Sequence, residues 1–300
     1  LAMPAIAPAI NAQSNPNNQQ RNVKRVNRQL SMRLSRAQNE IKRLVRGIPR
    51  KASTIIDTPL VNLRITEYDI TPEERQRLAE EIHALINEEL LENEAGADMP
   101  ENWFYKSEIE IPYRQGVLTE IEETNRLIEA AIIAGILLWP GRPAIDPVNL
   151  LRSEAYRAGL EEVYVRNFLV IKGLSDSVAT QIVGVINNGI DGKLSISKIA
   201  ENINGRFDVS KSSARRIAQT EVNRAFNDGK ISAGELAEQK TGIKTAVRHI
   251  SALLATTRPH HAARHRKVYT RAAQQSWWAE GVNRINCRCT IESVLITPKN

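Results

Sequence analysis

The sequence predicts a mainly α-helical protein in its N-terminal and middle parts, followed by a small α+β C-terminal domain with a short β-sheet. Before Gly242, apolar residues recur mostly at steps of three and four, which places them on one face of successive helices. Prolines and glycines interrupt this pattern at intervals suited to helix ends. After Gly242 the pattern changes to the alternating, β-branched character that is typical of short strands.

The chain divides by composition into five consecutive parts. The first 20 residues are rich in Ala, Pro, Asn and Gln and carry no charged side chain, which is typical of a flexible arm. We expect boundaries at 1–20 for this arm, 21–51 for a basic amphipathic helix, 52–165 for an acidic helical domain, 166–205 for a small helical connector and 206–300 for the C-terminal domain.

A long amphipathic helix is predicted from about residue 21 to residue 46, where Gly47 and Pro49 supply a stop. Its polar face consists almost entirely of Arg, Lys, Asn and Gln. We expect its apolar stripe to pack on another helix, of this chain or of a neighbouring subunit, and the arm and helix to extend without disturbing the core that follows. The stripe consists of Val23, Val26, Leu30, Leu34, Ala37, Ile41 and Leu44.

The charge distribution predicts a polyanionic partner for the two ends of the chain. The net charge is +7, and residues 21–51 carry eleven Lys/Arg against one acidic residue. Residues 71–130 reverse the balance with sixteen Asp/Glu against five Lys/Arg, and residues 244–289 return to nine against one. We expect nonspecific contacts with DNA phosphates from Arg21, Lys24, Arg25, Arg28, Arg33, Arg36, Lys42, Arg43 and Arg46.

The middle and C-terminal elements follow from capping and periodicity. Thr71-Pro72-Glu73-Glu74 indicates a helix start, because a hydroxyl cap, a first-turn proline and acidic residues favour an N-terminus. Its expected buried residues are Leu78, Ile82, Leu85, Ile86 and Leu90. Further helices are predicted at about 117–138, 147–172, 175–188, 195–203 and from 210 past 225, with strands at 243–250 and 289–296 and a helical turn at 261–266.

Several classes of protein find no support in the sequence. The longest apolar run, Ala130–Trp139, is shorter than the roughly 20 residues that a membrane span needs, and Leu1–Ile10 lacks the basic start of a secretory signal. Two cysteines are too few for a disulfide framework, so we expect folding in a reducing cytoplasm. Neither a phosphate-binding glycine loop nor a Gly-x-Ser-x-Gly motif occurs.

Two histidines and two cysteines form a candidate zinc site. His261 and His265 lie four residues apart, which places both imidazoles on one side of a helix or tight turn. With Cys287 and Cys289 they provide two nitrogen and two sulfur donors, the ligand set of a closed structural zinc site, and we expect all four to converge. The alternatives are buried, reduced thiols without metal and a strained local disulfide, and His260 is a substitute ligand.

The segment Thr257–His265, together with Lys267-Val268-Tyr269 and Ile285-Asn286-Cys287-Arg288-Cys289, resembles the C-terminal signature of Mu F-like phage head morphogenesis proteins. The resemblance covers about residues 166–296 and includes Ile217-Ala218-Gln219-Thr220-Glu221 on a predicted helix. Gln219 replaces a usual Arg, and Arg266 stands where the family commonly has Gly. The signature residues that carry over are Thr220, Glu221, Thr257, Arg258, Pro259 and Asn286.

The resemblance implies a structural minor head protein of a tailed bacteriophage, made in the host cytoplasm and incorporated into the virion at the portal or inner capsid. It implies several copies per virion and contacts with the portal protein, the major capsid protein or both, without a membrane partner. Non-specific binding of packaged double-stranded DNA and the absence of enzyme activity complete this expectation. The alternative is a metal-dependent DNA nuclease built on the His pair, Asn286 and Glu221.

Overall fold

The protein is described by a computed structural model that covers residues 16–58, 61–91, 103–135 and 145–296. A π-helical segment, Phe104–Ile109, leads into the third helix. The helices are α1 (Pro16–Gly47), α2 (Pro72–Leu91), α3 (Glu110–Ile133), α4 (Pro147–Leu151), α5 (Glu154–Asp191), α6 (Ile196–Thr241), α7 (Pro259–Ala262) and α8 (Arg271–Ala279). The strands are β1 (Arg50–Thr58), β2 (Val61–Tyr68), β3 (Thr245–Ile250), β4 (Val268–Tyr269) and β5 (Thr290–Leu295).

The chain forms two compact units, and the mainly helical fold with a small C-terminal α+β part is confirmed. Unit 1 draws on Leu1–Lys24, Tyr105–Arg166 and Ile217–Asn300, and unit 2 on Arg25–Phe104 and Asn167–Arg216. The expected boundaries at 165/166 and 205/206 therefore lie inside α5 and α6. Residues 1–15 of the expected arm lie outside the described part, whereas its last five residues already belong to α1.

Three expectations for secondary structure were wrong. Residues 50–68, assigned partly to an acidic helical domain, form the antiparallel hairpin β1–β2, with Arg50 opposite Tyr68 and Thr58 opposite Val61. The helix expected at 147–172 is divided into α4 and the first part of α5, and α5 continues through Gly173 to include the helix expected at 175–188, because a helix whose face is buried tolerates an interior glycine. Likewise, the helices expected at 195–203 and from Ser210 are one helix, α6.

The sheet of unit 1 has the order β4–β3–β5, and all its neighbours are antiparallel. β3 pairs with β5 from Thr245 opposite Leu295 to Ile250 opposite Thr290, in agreement with the two strands expected after Gly242. β4 and α8 were not expected. The hydrophobic core beside this sheet consists of Ile231, Val247, Trp278 and Ile291, with Tyr269 and Trp277 packed against it.

Two glycines allow α3 and α6 to approach closely in unit 1. A Cβ atom at Gly116 would lie 2.0 Å from the carbonyl oxygen of Phe226, and one at Gly229 would lie 2.3 Å from that of Tyr113. Neither backbone could accommodate such an atom without moving. The contact therefore depends on the absence of a side chain at both positions.

This close approach encloses a network of charged side chains. Lys230 of α6 is fully buried and donates to the Glu123 carboxylate of α3 at 2.6 Å, with Glu120 at 3.7 Å. Arg271 of α8 bridges Glu120 at 3.1 Å and Glu238 of α6 at 2.8 Å. Buried charges are tolerated only when they are paired, so this network fixes α8 against α3 and α6.

In unit 2, α1 packs by an apolar stripe, as expected. Val26, Leu30, Leu34, Ala37, Ile41 and Val45 have no exposed surface. α2 begins at Pro72 with a reciprocal cap, in which Thr71 Oγ1 accepts from Glu74 N and Glu74 Oε2 accepts from Thr71 N. Its buried residues Ile82, Ile86 and Leu90 are among those that the sequence predicted.

α5 contains an 18-residue window with a mean hydropathy of 1.4, so this helix is long and apolar enough to cross a membrane by length and composition alone. In the structure, 39% of that window is buried inside the protein. The sequence did not single out this helix. It contributes buried residues to the protein interior, among them Val163 and Tyr164 in unit 1 and Ile182 and Ile186 in unit 2. The expected absence of a membrane partner stays a prediction.

Candidate metal centre

Three potential metal ligands of unit 1, His249, His261 and Cys289, converge where β3, α7 and the segment before β5 meet, and Cys287 lies beside His261 there. His249 belongs to β3, His261 to α7, and Cys287 and Cys289 to the segment that leads into β5. Their exposed fractions are 0% for His249, 2% for His261 and Cys289, and 5% for Cys287. Two nitrogen and two sulfur donors in a buried position match the composition of a structural zinc site.

The donor atoms lie close to one another. His261 Nδ1 is 3.3 Å from Cys289 Sγ and 3.6 Å from Cys287 Sγ. One donor atom each from His249, His261 and Cys289 forms a group whose members all lie within 4.8 Å of one another. The expected convergence of His261 with both cysteines is therefore observed in the structure, as geometry without a test of metal binding.

His265 is not a member of this group, and His249 takes its place. The Nδ1 atom of His265 accepts a hydrogen bond from the Ser251 backbone N–H at 3.1 Å, so that nitrogen is already in use. No spacing in the sequence links His249 to the other donors, because it lies in a strand twelve residues before His261. The only signal for His249 in the sequence was the prediction of strands at 243–250 and 289–296. Pairing of these two strands brings His249 beside β5.

The orientation of His249 is set by Gln274 of α8. His249 Nδ1 lies 3.2 Å from Gln274 Oε1, and the same oxygen accepts from Arg264 Nη2 at 3.2 Å. Because an arginine can only donate, the oxygen of this amide faces His249, which must then carry its proton on Nδ1. That tautomer leaves His249 Nε2 with a free lone pair. This nitrogen is buried and has no hydrogen-bond partner among the described residues.

Trp277 covers the two imidazoles. Its ring centre lies 4.8 Å from that of His261 and 5.3 Å from that of His249, both in edge-to-face arrangements. The guanidinium of Arg264 lies 4.3 Å from the Trp277 ring centre and 3.6 Å from that of Tyr269. Trp278 is buried in the adjacent core, against which Trp277 also packs.

The thiols differ in their protonation. Hydrogen bonding from Cys287, together with the neighbouring imidazoles, lowers the pKa of Cys289 to about 3 despite its burial. The same interaction raises the pKa of Cys287, and burial raises it further. Burial lowers the pKa of His261. Cys289 is therefore the more acidic of the two thiols, and burial favours the neutral imidazole of His261 beside it.

The signature residues hold the cysteine segment in place. Arg258 donates to the carbonyl oxygens of Val282 at 2.6 Å and of Asn283 and Ile285 at 3.0 Å each. Pro259 occupies the first turn of α7, and Thr257 Oγ1 accepts from Leu254 N at 2.8 Å. These contacts fix α7, and thus His261, relative to residues 282–285.

A second set of contacts joins the cysteine segment to α6. Asn286 N donates to Thr220 Oγ1 at 2.9 Å, and Asn286 adopts a φ of +53°, which Asn tolerates better than most residues. The side-chain amides of Asn223 and Asn227 both donate to the Cys289 carbonyl oxygen, at 3.0 and 3.1 Å. The backbone on both sides of Arg288 is therefore fixed by side chains of one helix.

Glu221 does not lie in the metal-ligand group. Its carboxylate is buried, its nearest described ion-pair partner is Arg166 Nε at 3.9 Å, and burial raises its pKa. Arg166 also binds Asp228 at 2.9 Å, and Arg284 binds the other oxygen of Asp228 at 2.7 Å. Glu221 thus belongs to an arginine-rich ion-pair network beside the cysteine segment.

α1 carries the second candidate surface. Its exposed residues recur at steps of three and four on the face opposite the apolar stripe. We define the basic stripe as Arg21, Lys24, Arg28, Arg36, Arg43 and Arg46, while Arg25 and Lys42 are half-buried. Arg33 corrects the expectation, because it faces inward, where it donates to the Glu89 carbonyl at 2.8 Å and lies 4.2 Å from the Trp103 ring centre.

Residues 177–292 match the family model described as phage Mu protein F like protein. The match confirms the Mu F-like resemblance of this part of the chain. The matched segment contains all four residues of the metal centre and every signature residue. No curated protein and no solved structure matches the chain.

Proposed function

We propose, from the Mu F-like character of residues 177–292, that this chain is a structural minor protein of a tailed-bacteriophage head, acting in head morphogenesis at the portal or inner capsid. The family match is the observation that carries the proposal. It supports a virion-associated protein that is made in the host. The step from the family to the portal is an analogy and rests on no contact within the chain.

The geometry of the signature residues supports a structural role over an enzymatic one. Arg258 binds the backbone carbonyls of residues 282, 283 and 285, Thr220 accepts from the backbone N–H of Asn286, and these contacts hold the chain segment in place. Among the described residues, the group of potential metal ligands contains no carboxylate, and Glu221 faces arginines instead. A nuclease needs a metal with an open position and a base directed at water, and no observation favours that alternative.

The basic stripe supports contact with packaged DNA. Six Arg or Lys side chains on one exposed helical face, above a fully buried apolar stripe, present a rigid row of cations to solvent. DNA phosphates bind such rows without regard to base sequence. One member, Arg43, pairs with Glu40 at 2.8 Å in an exposed salt bridge, which DNA could replace at little cost in stability.

The acidic face of α2 suggests where protein partners bind. Glu73, Glu74, Glu80, Glu81 and Glu88 are all exposed on this helix, and such a surface repels DNA. We assign it to contact with the portal protein or the major capsid protein. Several copies per virion, docked by this face with the basic stripe directed to DNA, complete the proposal.

The salt dependence of DNA binding tests the role of the basic stripe. We expect the full chain to bind nonspecific duplex DNA with an affinity that falls steeply with salt. Replacing Arg28, Arg36 and Arg43 with Gln should reduce the log-log slope by about three units, because each phosphate that a cation neutralises contributes about one unit. The measurement is fluorescence anisotropy of a labelled duplex across a series of salt concentrations.

A charge-matched variant provides the control. Arg152, Arg157 and Lys172 are exposed residues outside α1, and replacing them with Gln removes the same net charge. This control should keep the slope of the unmodified protein. Equal slopes for all three proteins, or equal reductions in both variants, would contradict a DNA contact through the basic stripe.

A further inference from the structure

We propose that His249, His261, Cys287 and Cys289 bind one Zn²⁺ ion in a closed structural site that joins β3, α7 and the segment before β5. The sequence pointed to zinc with His265 as a ligand, whereas the structure assigns that position to His249. The inference does not depend on the assignment to a phage head.

The separations between donor atoms suit a tetrahedral ion. With zinc bonds of about 2.0 Å to nitrogen and about 2.3 Å to sulfur, neighbouring N and S ligands lie about 3.6 Å apart. His261 Nδ1 lies 3.3 Å from Cys289 Sγ and 3.6 Å from Cys287 Sγ. Both thiols thus already stand at about the ligand spacing relative to one imidazole nitrogen.

The tautomer of His249 supplies the fourth donor. Gln274 Oε1 fixes the proton on Nδ1, so Nε2 is unprotonated, and it is buried without a hydrogen-bond partner among the described residues. Metal-binding histidines characteristically donate their other ring N–H to an oxygen of the protein, as His249 does here. A bound cation would satisfy a lone pair that the described side chains leave unused.

The surroundings of the cysteines also suit a metal. Cys289 N donates to Cys287 Sγ at 3.3 Å, and an N–H directed at sulfur stabilises a thiolate. The segment is held from α6 through the Cys289 carbonyl and from α7 through Arg258. Both thiols are free of disulfide bonds, and the ligands come from three separate elements. An ion at this point would link those three elements directly.

The metal content of the full-length protein tests the site directly. The protein is produced in zinc-supplemented medium, purified under reducing conditions and analysed by elemental mass spectrometry. We expect one zinc per chain. After chelation, anaerobic addition of Co²⁺ should produce the d–d bands of a tetrahedral ion and a thiolate charge-transfer band, together with quenching of tryptophan fluorescence, since Trp277 covers both histidines.

Histidine variants separate the proposed ligand set from its alternative. His249→Gln should lower zinc affinity at least about tenfold, whereas the matched variant His265→Gln should keep full stoichiometry and the unchanged cobalt spectrum. Cys287→Ser should weaken the charge-transfer band by about half by removing one of two thiolates. Gln274→Leu, which leaves every ligand in place, should lower affinity about 10- to 100-fold because His249 is no longer oriented.

Defined outcomes would overturn the proposal. Reconstituted unmodified protein that retains no stoichiometric zinc or cobalt would show that the thiols are buried and reduced without a metal. Loss of metal in His265→Gln with retention in His249→Gln would reassign the histidine ligand. An unchanged cobalt spectrum in Cys287→Ser would show that Cys287 is not a ligand, and the proposed site with four protein ligands would then be wrong. The metal content of the unmodified protein tests the proposal even if one of the variants fails to fold.

Discussion

Arg266 stands at a position whose backbone conformation favours glycine. It adopts a φ of +63°, in the left-handed region that side chains with a Cβ atom disfavour, at a position where the Mu F-like signature commonly has Gly. Its N–H donates to the His249 carbonyl oxygen at 2.8 Å, so the surrounding structure maintains this conformation. The departure therefore introduces local strain next to the metal centre.

Arg266→Gly is expected to stabilise the protein. Removing Cβ from the left-handed conformation should raise the free energy of unfolding by about 1–2 kcal/mol. The greater freedom of glycine in the unfolded chain should lower it by about 0.5–1 kcal/mol. Arg266→Ala is the control, because it removes the guanidinium but retains Cβ, and it should give no such gain. Urea denaturation measures both. A glycine variant no more stable than the alanine variant would show that φ at this position carries no strain.

Glu123 predicts a pH dependence of stability. Burial raises its pKa to about 7, with Lys230 opposing and Glu120 adding to the rise. The folded state therefore holds this proton more tightly than the unfolded state does. The resulting stability is fully present below pH 4.5, the ordinary pKa of the group, and is lost as the pH rises through about 7.

The variant Glu123→Gln isolates this effect from other titrating groups. Between about pH 5 and about pH 7.5, the free energy of unfolding of the unmodified protein should fall relative to that of the variant by on the order of 2 kcal/mol. Urea denaturation at both pH values is the measurement. A constant difference between the two proteins would show that Glu123 does not titrate in this range.

At the scale of residues, the sequence predicts that histidine and cysteine side chains form the candidate metal site, but it does not predict correctly which histidines take part. Cys287, Cys289 and His261 could be grouped because their family-like segments suggested a common site. His265 was chosen over His249 by proximity along the chain, yet the Ser251 N–H occupies its nitrogen. The pairing of β3 with β5, a long-range contact, is what brings His249 to the cysteines.

At the scale of elements, the crossing of α3 and α6 determines where the buried charges lie. Gly229→Ala should destabilise the protein by about 1–3 kcal/mol, because the new methyl group would lie 2.3 Å from the Tyr113 carbonyl oxygen. Gly205→Ala, in the same helix but with nothing within 4 Å of the added Cβ, should be neutral or stabilising by up to about 1 kcal/mol. Thermal unfolding compares them. Equal effects would mean that the close approach is not required.

The ends of helices could be predicted where a side chain caps the helix. They could not be predicted where packing against the rest of the protein keeps a helix intact through a glycine or a polar stretch. The Thr71–Glu74 cap and the end of α5 before Gly192 were recognised from sequence. Gly173 and the polar stretch at Ser210 suggested helix ends that burial on either side overrides. The hairpin β1–β2 was missed because residues 50–68 contain none of the dipeptides, such as Asn-Gly or Asp-Gly, that signal a hairpin in a sequence.

At the scale of the whole molecule, the basic part is built into the fold. The apolar stripe of α1 is completely buried in unit 2, from Val26 to Val45. The expectation that the helix extends without disturbing the core is therefore wrong, while residues 1–15 of the arm lie outside the described part of the chain. Deletion of residues 1–51 would expose the interior that this helix covers. Substitutions on the exposed basic stripe are the appropriate way to separate DNA contact from folding.

The sequence predicted that basic and acidic residues lie on different parts of the protein, because this separation depends on the composition of segments tens of residues long. Its consequence is a molecule whose exposed cations on α1 and exposed acids on α2 belong to different helices. The partners of each surface are not encoded locally. The partners proposed for them rest on the Mu F-like resemblance of residues 177–292.

The most direct measurement is quantitative mass spectrometry of phage heads purified by density gradient from the host that carries this gene. We predict that the chain co-purifies with the heads in several copies per particle, far fewer than the major capsid protein. The variant with Gln at positions 28, 36 and 43 should still be incorporated, because the acidic face of α2 is unchanged. Heads that lack the chain, while the unincorporated protein accumulates in the lysate, would contradict the proposed role as a head protein.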